Sequence, residues 1–406
     1  MELKEAAKKL MISNFEATGR KYITPSWPHY RNQWLWDSCF HAIICANLGL
    51  KDLAKNEIEQ LLAYQREDGF IPHRIYHGIR SSWDLERMFY KSIVNKVSSS
   101  ITQPPVLAQA VEAIDDPEWA REIMPKVIKF YIYYKEKQDP DGDSLISICH
   151  PCESGRNASP EFDFLYWKHS KLFPFLNPAI RLAKILNMER KYRKLDWDIA
   201  RIWEADLFNV EDLMTHCIWV QGLRSLARLV RKIYGYDKMD LILKLQNLAD
   251  DGEKAVFNLC WDEKEKIFRS LDSKNRPIVN HLTISNLYPI ILDNIPKEMI
   301  SAIVANHVLN PKEFWTPYPI PTVSISDSAF DTKSEWLLWR GPVWINMNWF
   351  IIQGLRKHGY NDIAEKISTK TKEMVEREGF REFYNPFTGK GMRVKKFGWS
   401  GLAALM

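Results

Sequence analysis

The stretch that decides the fold is WLWDSCFHAIICANL, Trp34 to Leu48, followed by KDLAKNEIEQLLAYQR, Lys51 to Arg66. The first segment is apolar nearly all round, apart from Asp37 and His41, and predicts a buried helix. In the second, Ala54, Ile58, Leu61 and Leu62 recur at one-face helical spacing, which predicts an amphipathic helix with a wet side. The alternation returns along the chain. Thr102–Ile114 is apolar and Pro117–Glu136 amphipathic; Val210–Tyr234 is apolar and Met239–Trp261 amphipathic; Pro342–His358 is apolar and Asp362–Glu378 amphipathic. A further short helix is expected over residues 2–17. No long strictly alternating run competes, so strands are expected only as small hairpins, for example near Ile267–Val279. Inner and outer helices in repeated pairs predict an all-α fold, an (α/α)6 barrel, with residues 1–406 as one domain. A stacked solenoid would give the same alternation, but no repeat of the usual helical-repeat length is present. Gln138–Pro160 and Ser270–Tyr318 read as long loops forming a cleft.

Composition narrows the function. The 56 basic and 51 acidic residues give a net charge of +5, dispersed and without a basic block, so no nucleic-acid partner is expected. No apolar run long enough for a membrane span occurs, and the charged N-terminus lacks a signal core. The six cysteines are read as free thiols in a reducing, cytoplasmic setting. Cys149 and Cys152 have no second pair to complete a zinc set, so no metal and no cofactor is expected. The 16 tryptophans exceed what a core of this size needs, and indole faces suit the apolar faces of sugar rings.

One loop concentrates chemistry. CHPCESGRNASPEFD, Cys149 to Asp163, carries three carboxylates among Gly, Pro and Ser, with no helical or strand period. Far along the chain, Glu382 lies in REFYNPFTGKG, an acid flanked by aromatics. Two acid-bearing loops on one scaffold suggest the carboxyl pair of a glycosidase.

The Cys149–Asp163 loop resembles the E-S-G-x-D-N-S-P-R-[WF]-D segment of glycoside hydrolase family 63 and its relatives, among them mannosylglycerate and glucosylglycerate hydrolases. Trp34–Ser38 (WLWDS), Thr102–Pro105 (TQPP), Trp339–Trp344 (WRGPVW) and Glu382–Gly389 (EFYNPFTG) match the same family in the same order. The resemblance implies an inverting α-glycosidase acting on a small carbohydrate, with Glu382 as general base. Trehalases share part of the pattern and are a second enzyme reading. The family's general acid is the Asp of G-x-D, and that position here is Asn157. An amide cannot donate a proton as a carboxylic acid does. Three readings stand: an Asp→Asn substitution that disabled the enzyme, a relative that only binds sugar, or a neighbour such as Glu153 or Asp163 serving as the acid.

The remaining site candidates follow from the matched motifs. Trp36 and Asp37 would hold the cleaved sugar, one by apolar contact and one through hydroxyls. Gln103 offers both a donor and an acceptor. Trp339, Arg340, Gly341 and Trp344 would form a wall, with Trp399, His73, Glu153 and Gly155 around it. Arg340 could take a glycerate carboxylate in its fork, or pair with a structural acid such as Glu335 or Glu153. His41 is read as a core residue. His150 is read either as a brace for its own loop or as a substrate contact.

Overall fold

The computed structural model describes residues 3–77, 97–166, 177–333 and 338–406. The chain is mostly helical. The inner elements are α2 (Leu35–Asn47), α4 (Leu107–Ile114), α6 (Leu213–Tyr234), a 3-10 helix (Ile284–Ile291), α8 (Ile345–Lys357) and a C-terminal 3-10 helix (Gly398–Leu405). Each packs on the next in that order, and the last returns to α2. The outer elements are α1 (Leu3–Glu16), α3 (Lys51–Leu62), α5 (Pro117–Lys137), α7 (Met239–Leu259) and α9 (Asn361–Glu378). Helix α3 lies on α2, α7 on α6, α9 on α8, and α1 on the C-terminal turn.

Burial follows the sequence pattern. Every residue of α2 from Leu35 to Ala46 is buried, whereas α3 buries only Ala54, Glu57, Ile58, Leu61 and Leu62. Residues with no polar face have nowhere to go but between neighbours; residues with one polar face can close the outside.

One inner element and the helix after it escaped the helical period. Ser270–Tyr318, expected as a loop, contains the 3-10 helix Ile284–Ile291 and the helix Lys297–Ile303, which runs into a π turn at Val304–Val308. Pro289 sits within the first of these, and the i→i+3 bonding spaces its apolar residues differently from an α-helix. Thr283 and Asn286 close its start as a reciprocal capping box. The expected hairpin near Ile267–Val279 divides in two. Ile267–Phe268 pairs with Trp261–Asp262, while Leu271–Asp272 joins a three-stranded antiparallel ladder with Val210–Glu211 and Ser147–Ile148. Residues 210–211, expected as the start of helix α6, are therefore a strand, and Asp212 caps the helix through Thr215 N–H.

The inner elements present their N-terminal ends to one side. Trp36 and Asp37 lie in the first turn of α2, Gln103 precedes α4, Trp344 is the residue before α8, and Trp399 opens the C-terminal turn.

Candidate active site

Glu382 stands on the hairpin Arg381–Tyr384/Gly391–Lys395 and is 1% exposed. Its Oε1 accepts hydrogen bonds from Tyr30 Oη at 2.7 Å and Arg393 Nη1 at 2.8 Å. Its Oε2 is buried and has no hydrogen-bond partner. One oxygen is thus anchored and the other is left for a ligand or water. Burial pushes the Glu382 carboxyl up, while Arg393 and Tyr30 pull it back. A carboxylate held this way is oriented by one oxygen and keeps the other open to a proton.

Glu382 lines a cavity of about 700 Å³, counting its mouth, which Trp36, Asp37, His73, Gln103, Gly155 and Asn157 also line. Trp339, Trp344 and Trp399 complete its aromatic wall. Positions 157 and 382 therefore open into one space. Trp339 and Trp344 stack at 3.8 Å with 8° between planes, and Trp36 meets Trp399 edge-on at 5.2 Å. The buried Trp399 Nε1–H has no partner. Asp37 is pushed well above the usual carboxylate range, first by burial and then by the Glu382 charge. Gln103 Oε1 accepts from Trp36 N–H at 3.3 Å, tying the TQPP loop to the head of α2. His73 is braced by Ser99 Oγ at 2.7 Å, and burial pushes its pKa well down, so it is neutral.

The loop carrying Asn157 is held from beneath. Arg156, 1% exposed, donates to Glu161 at 2.8 Å, to Asp212 and to Ser285. Gly155 adopts φ +69°, and a Cβ there would lie 2.3 Å from the Trp36 ring, so only glycine lets the loop close over that indole.

Three candidates have other work. Glu153 does not line the cavity: its Oε1 accepts from Thr102 N–H at 3.2 Å and its Oε2 from Cys149 N–H at 2.8 Å, stitching two loops together. Arg340 gives its fork to Asp163 at 2.7 and 2.5 Å and its Nε–H to the Ala158 carbonyl. With all three directions used, it has no fork for a glycerate carboxylate. Its structural partner is Asp163 rather than Glu153; Glu335 lies outside the described residues. Gly341 donates its N–H to Thr322 Oγ1, and a Cβ there would lie 2.7 Å from Phe330. Glu153 and Asp163 are thus engaged as braces, and neither is among the residues that line the cavity beside Asn157.

His41 is a core residue, pushed down to about 3 by burial. His150 braces its own loop by accepting from Cys152 N–H at 3.1 Å, and Glu189 lies 3.4 Å from its Nε2. Tyr30, Arg393 and the cavity-lining Cys152 were missed by the sequence reading. The run of prolines and aromatics before α2, residues 22–33, is the sequence signal that could have found Tyr30. Nothing local marks Arg393, which reaches Glu382 from the next strand of the hairpin.

A larger opening at the other end of the inner helices, beside Asn47, Gln109 and Gln353, offers no comparable acid. Its Glu112 and Asp293 are paired with Arg228 and Lys357.

A helical scaffold whose cavity joins a half-anchored carboxylate, a second acid and an indole wall is that of a glycoside hydrolase, and family 63 is where its relatives lie. The chain belongs to the family of the mannosylglycerate hydrolase MGH1-like glycoside hydrolase domain, whose model matches residues 30–400. It is 26% identical to a mannosylglycerate hydrolase of Selaginella moellendorffii, over 99% of this chain and 84% of that one. It is 28% identical to the mannosylglycerate hydrolase of Thermus thermophilus, over 95% and 96%. The crystal structure of a family 63 mannosylglycerate hydrolase from Thermus thermophilus, in complex with Tris and D-glycerate, superposes with a TM-score of 0.86 at 27% identity, covering 99% of this chain and 98% of that one.

Proposed function

We propose that the chain is an inverting, exo-acting α-glycosidase for small α-hexosides, with mannosylglycerate or glucosylglycerate as the substrate class. The cycle of inner elements supports an (α/α)6 barrel, read as one catalytic domain over residues 1–406 and placed in the cytoplasm. The observation that carries the reading is Glu382, with Oε1 clamped by Tyr30 and Arg393 and Oε2 without a partner in the cavity wall. In this role Oε2 takes a proton from a water as that water attacks the anomeric carbon. Trp36 packs against the sugar, and Asp37 and Gln103 meet its hydroxyls. The departing oxygen lies toward Asn157, where the family has its acid.

Asn157 also supports a second reading, a relative that binds sugar without hydrolysing it. Both are tested by incubating the chain with mannosylglycerate, glucosylglycerate and trehalose, measuring glycerate or glucose release beside binding by calorimetry. Glycerate release that exceeds glucose release from trehalose supports the proposal. Binding without release by both the chain and its Asn157→Asp form supports the second reading, release regained by the Asn157→Asp form supports the first with its acid position disabled, and preference for trehalose supports a trehalase-type enzyme.

A further inference from the structure

The opening at the far end of the inner helices is separate from the catalytic cavity. It is a pit of about 1320 Å³, counting its mouth, and it shares no lining residue with the cavity around Glu382. Asn47, the last residue of α2, and Lys357, the last of α8, stand at it, and α4 and α6 supply its other walls. Phe40 is fully buried behind both openings. Its ring meets Trp349 of the pit at 6.2 Å, and Trp36 and Trp399 of the catalytic cavity at 5.8 and 6.0 Å. One ring thus backs the walls of two distinct chambers.

The charges of the pit are spent on one another. Glu112 accepts from Arg228 through both oxygens, at 2.6 and 2.8 Å, and Asp293 is held by Lys357 and by Gln221 Nε2. An ionic ligand would have to break one of these pairs. The groups left open are neutral. Trp349 and Gln353 lie four residues apart on one face of α8, and both line the pit. Neither the Trp349 indole N–H nor the Gln353 amide is bonded to another described residue. Asn47 donates from Nδ2 to the Ile43 carbonyl at 2.9 Å, which leaves its Oδ1 open.

Trp349 and Phe350 are the aromatic residues among the described ones that line the pit, and they meet edge-on, at 4.9 Å with 70° between planes. A flat nucleobase is held best between two parallel planes, which this pair does not offer. A pyranose needs one apolar platform for its C–H face, and amides that both donate and accept for its hydroxyls. Small-ligand pockets span about 300–1,000 Å³, so the pit has room for a sugar ring with its water.

We propose that this pit is a second carbohydrate site, which takes a free hexose or a simple hexoside on Trp349, with its hydroxyls on Gln353 and Asn47. Binding there is independent of catalysis at Glu382.

The test is equilibrium dialysis of the whole chain against radiolabelled D-mannose and, separately, D-glucose. At saturation one of these sugars is expected at two per chain, one in each chamber. Asp37→Asn weakens the sugar in the catalytic cavity and spares the one in the pit. Trp349→Ala weakens the pit sugar by at least about tenfold, because its platform is gone. Trp349 also touches Phe40, so the exposed Gln353→Ala is the second variant: it weakens the pit sugar by about three- to tenfold and leaves the other unchanged. A single bound sugar that is lost in Trp349→Ala and kept in Asp37→Asn supports the pit and counts against the catalytic cavity instead. The pit assignment is overturned if no bound sugar responds to Trp349→Ala or to Gln353→Ala. It is overturned as a sugar site if adenosine binds the pit more tightly than either hexose, or if glycerol displaces the pit sugar as well as unlabelled hexose does.

Discussion

Replacing Glu382 by Gln probes the proposed base with little change of shape. Gln keeps a carbonyl oxygen for Tyr30 and Arg393, so the Oε1 anchor survives. The loss is confined to Oε2, which becomes an amide and cannot accept a proton. General base catalysis contributes about 10²–10⁴-fold, or about 2.7–5.5 kcal/mol of barrier. Stability should move the other way. The folded-state carboxyl is raised by burial, so its charge costs folding energy at neutral pH, and the neutral amide removes that cost. An α-mannosyl fluoride is the substrate of choice, because fluoride departs without a proton and the missing acid at 157 does not mask the base. The expected result is a kcat lower by about 10²–10⁴-fold, with KM changed less than about threefold and Tm unchanged or raised. An unchanged kcat, or a fall in kcat that tracks a fall in Tm, would refute the assignment.

Gly155→Ala places a Cβ 2.3 Å from the Trp36 ring at φ +69°. It should cost about 1–3 kcal/mol of stability and weaken glycerate-conjugate binding in calorimetry at least about tenfold, by displacing the indole; unchanged affinity would remove Trp36 from the sugar site. Glu57, buried beneath Ser38 and the Ile23 backbone, has its carboxyl raised by burial to about 8. The folded chain therefore holds this proton longer than the unfolded one, and the stability it lends is present at acid pH and lost as pH rises through about 8. In urea titrations from pH 5 to pH 8, Glu57→Gln should gain on the parent by up to about 1.4 kcal/mol per pH unit, whereas parallel curves contradict the burial of a titrating carboxyl.

Much of the helical scaffold was legible because burial leaves a mark at the period of the α-helix. Leu35–Ala46 has no polar face and Lys51–Leu62 has one, and that difference alone places the first inside the second. The 3-10 elements at Ile284–Ile291 and Gly398–Leu405 were not legible, since proline, serine and glycine interrupt the helical period and tertiary packing decides their state. Within the site, Glu382, Asp37 and the indoles were singled out by the family resemblance of their motifs, and the structure brings them to one cavity because each lies at the head of an inner element or on one hairpin. For Arg340 the sequence left two readings open, a ligand's carboxylate or a structural acid, and the structure shows the second, with Asp163 as the partner. A fork shaped for a ligand's carboxylate is equally shaped for Asp163, and nothing along the chain distinguishes the two.

The central claim is that positions 157 and 382 face one bound sugar as the acid and base positions of a single hydrolytic site. Its most direct measurement is the rate of glycerate release from mannosylglycerate by Asn157→Asp, set beside the parent chain and the Asn157→Asp/Glu382→Gln double variant. The account predicts a rise of about 10²–10⁴-fold for the single change and its loss in the double. A rate equal to the parent's, or one that persists without Glu382, contradicts it.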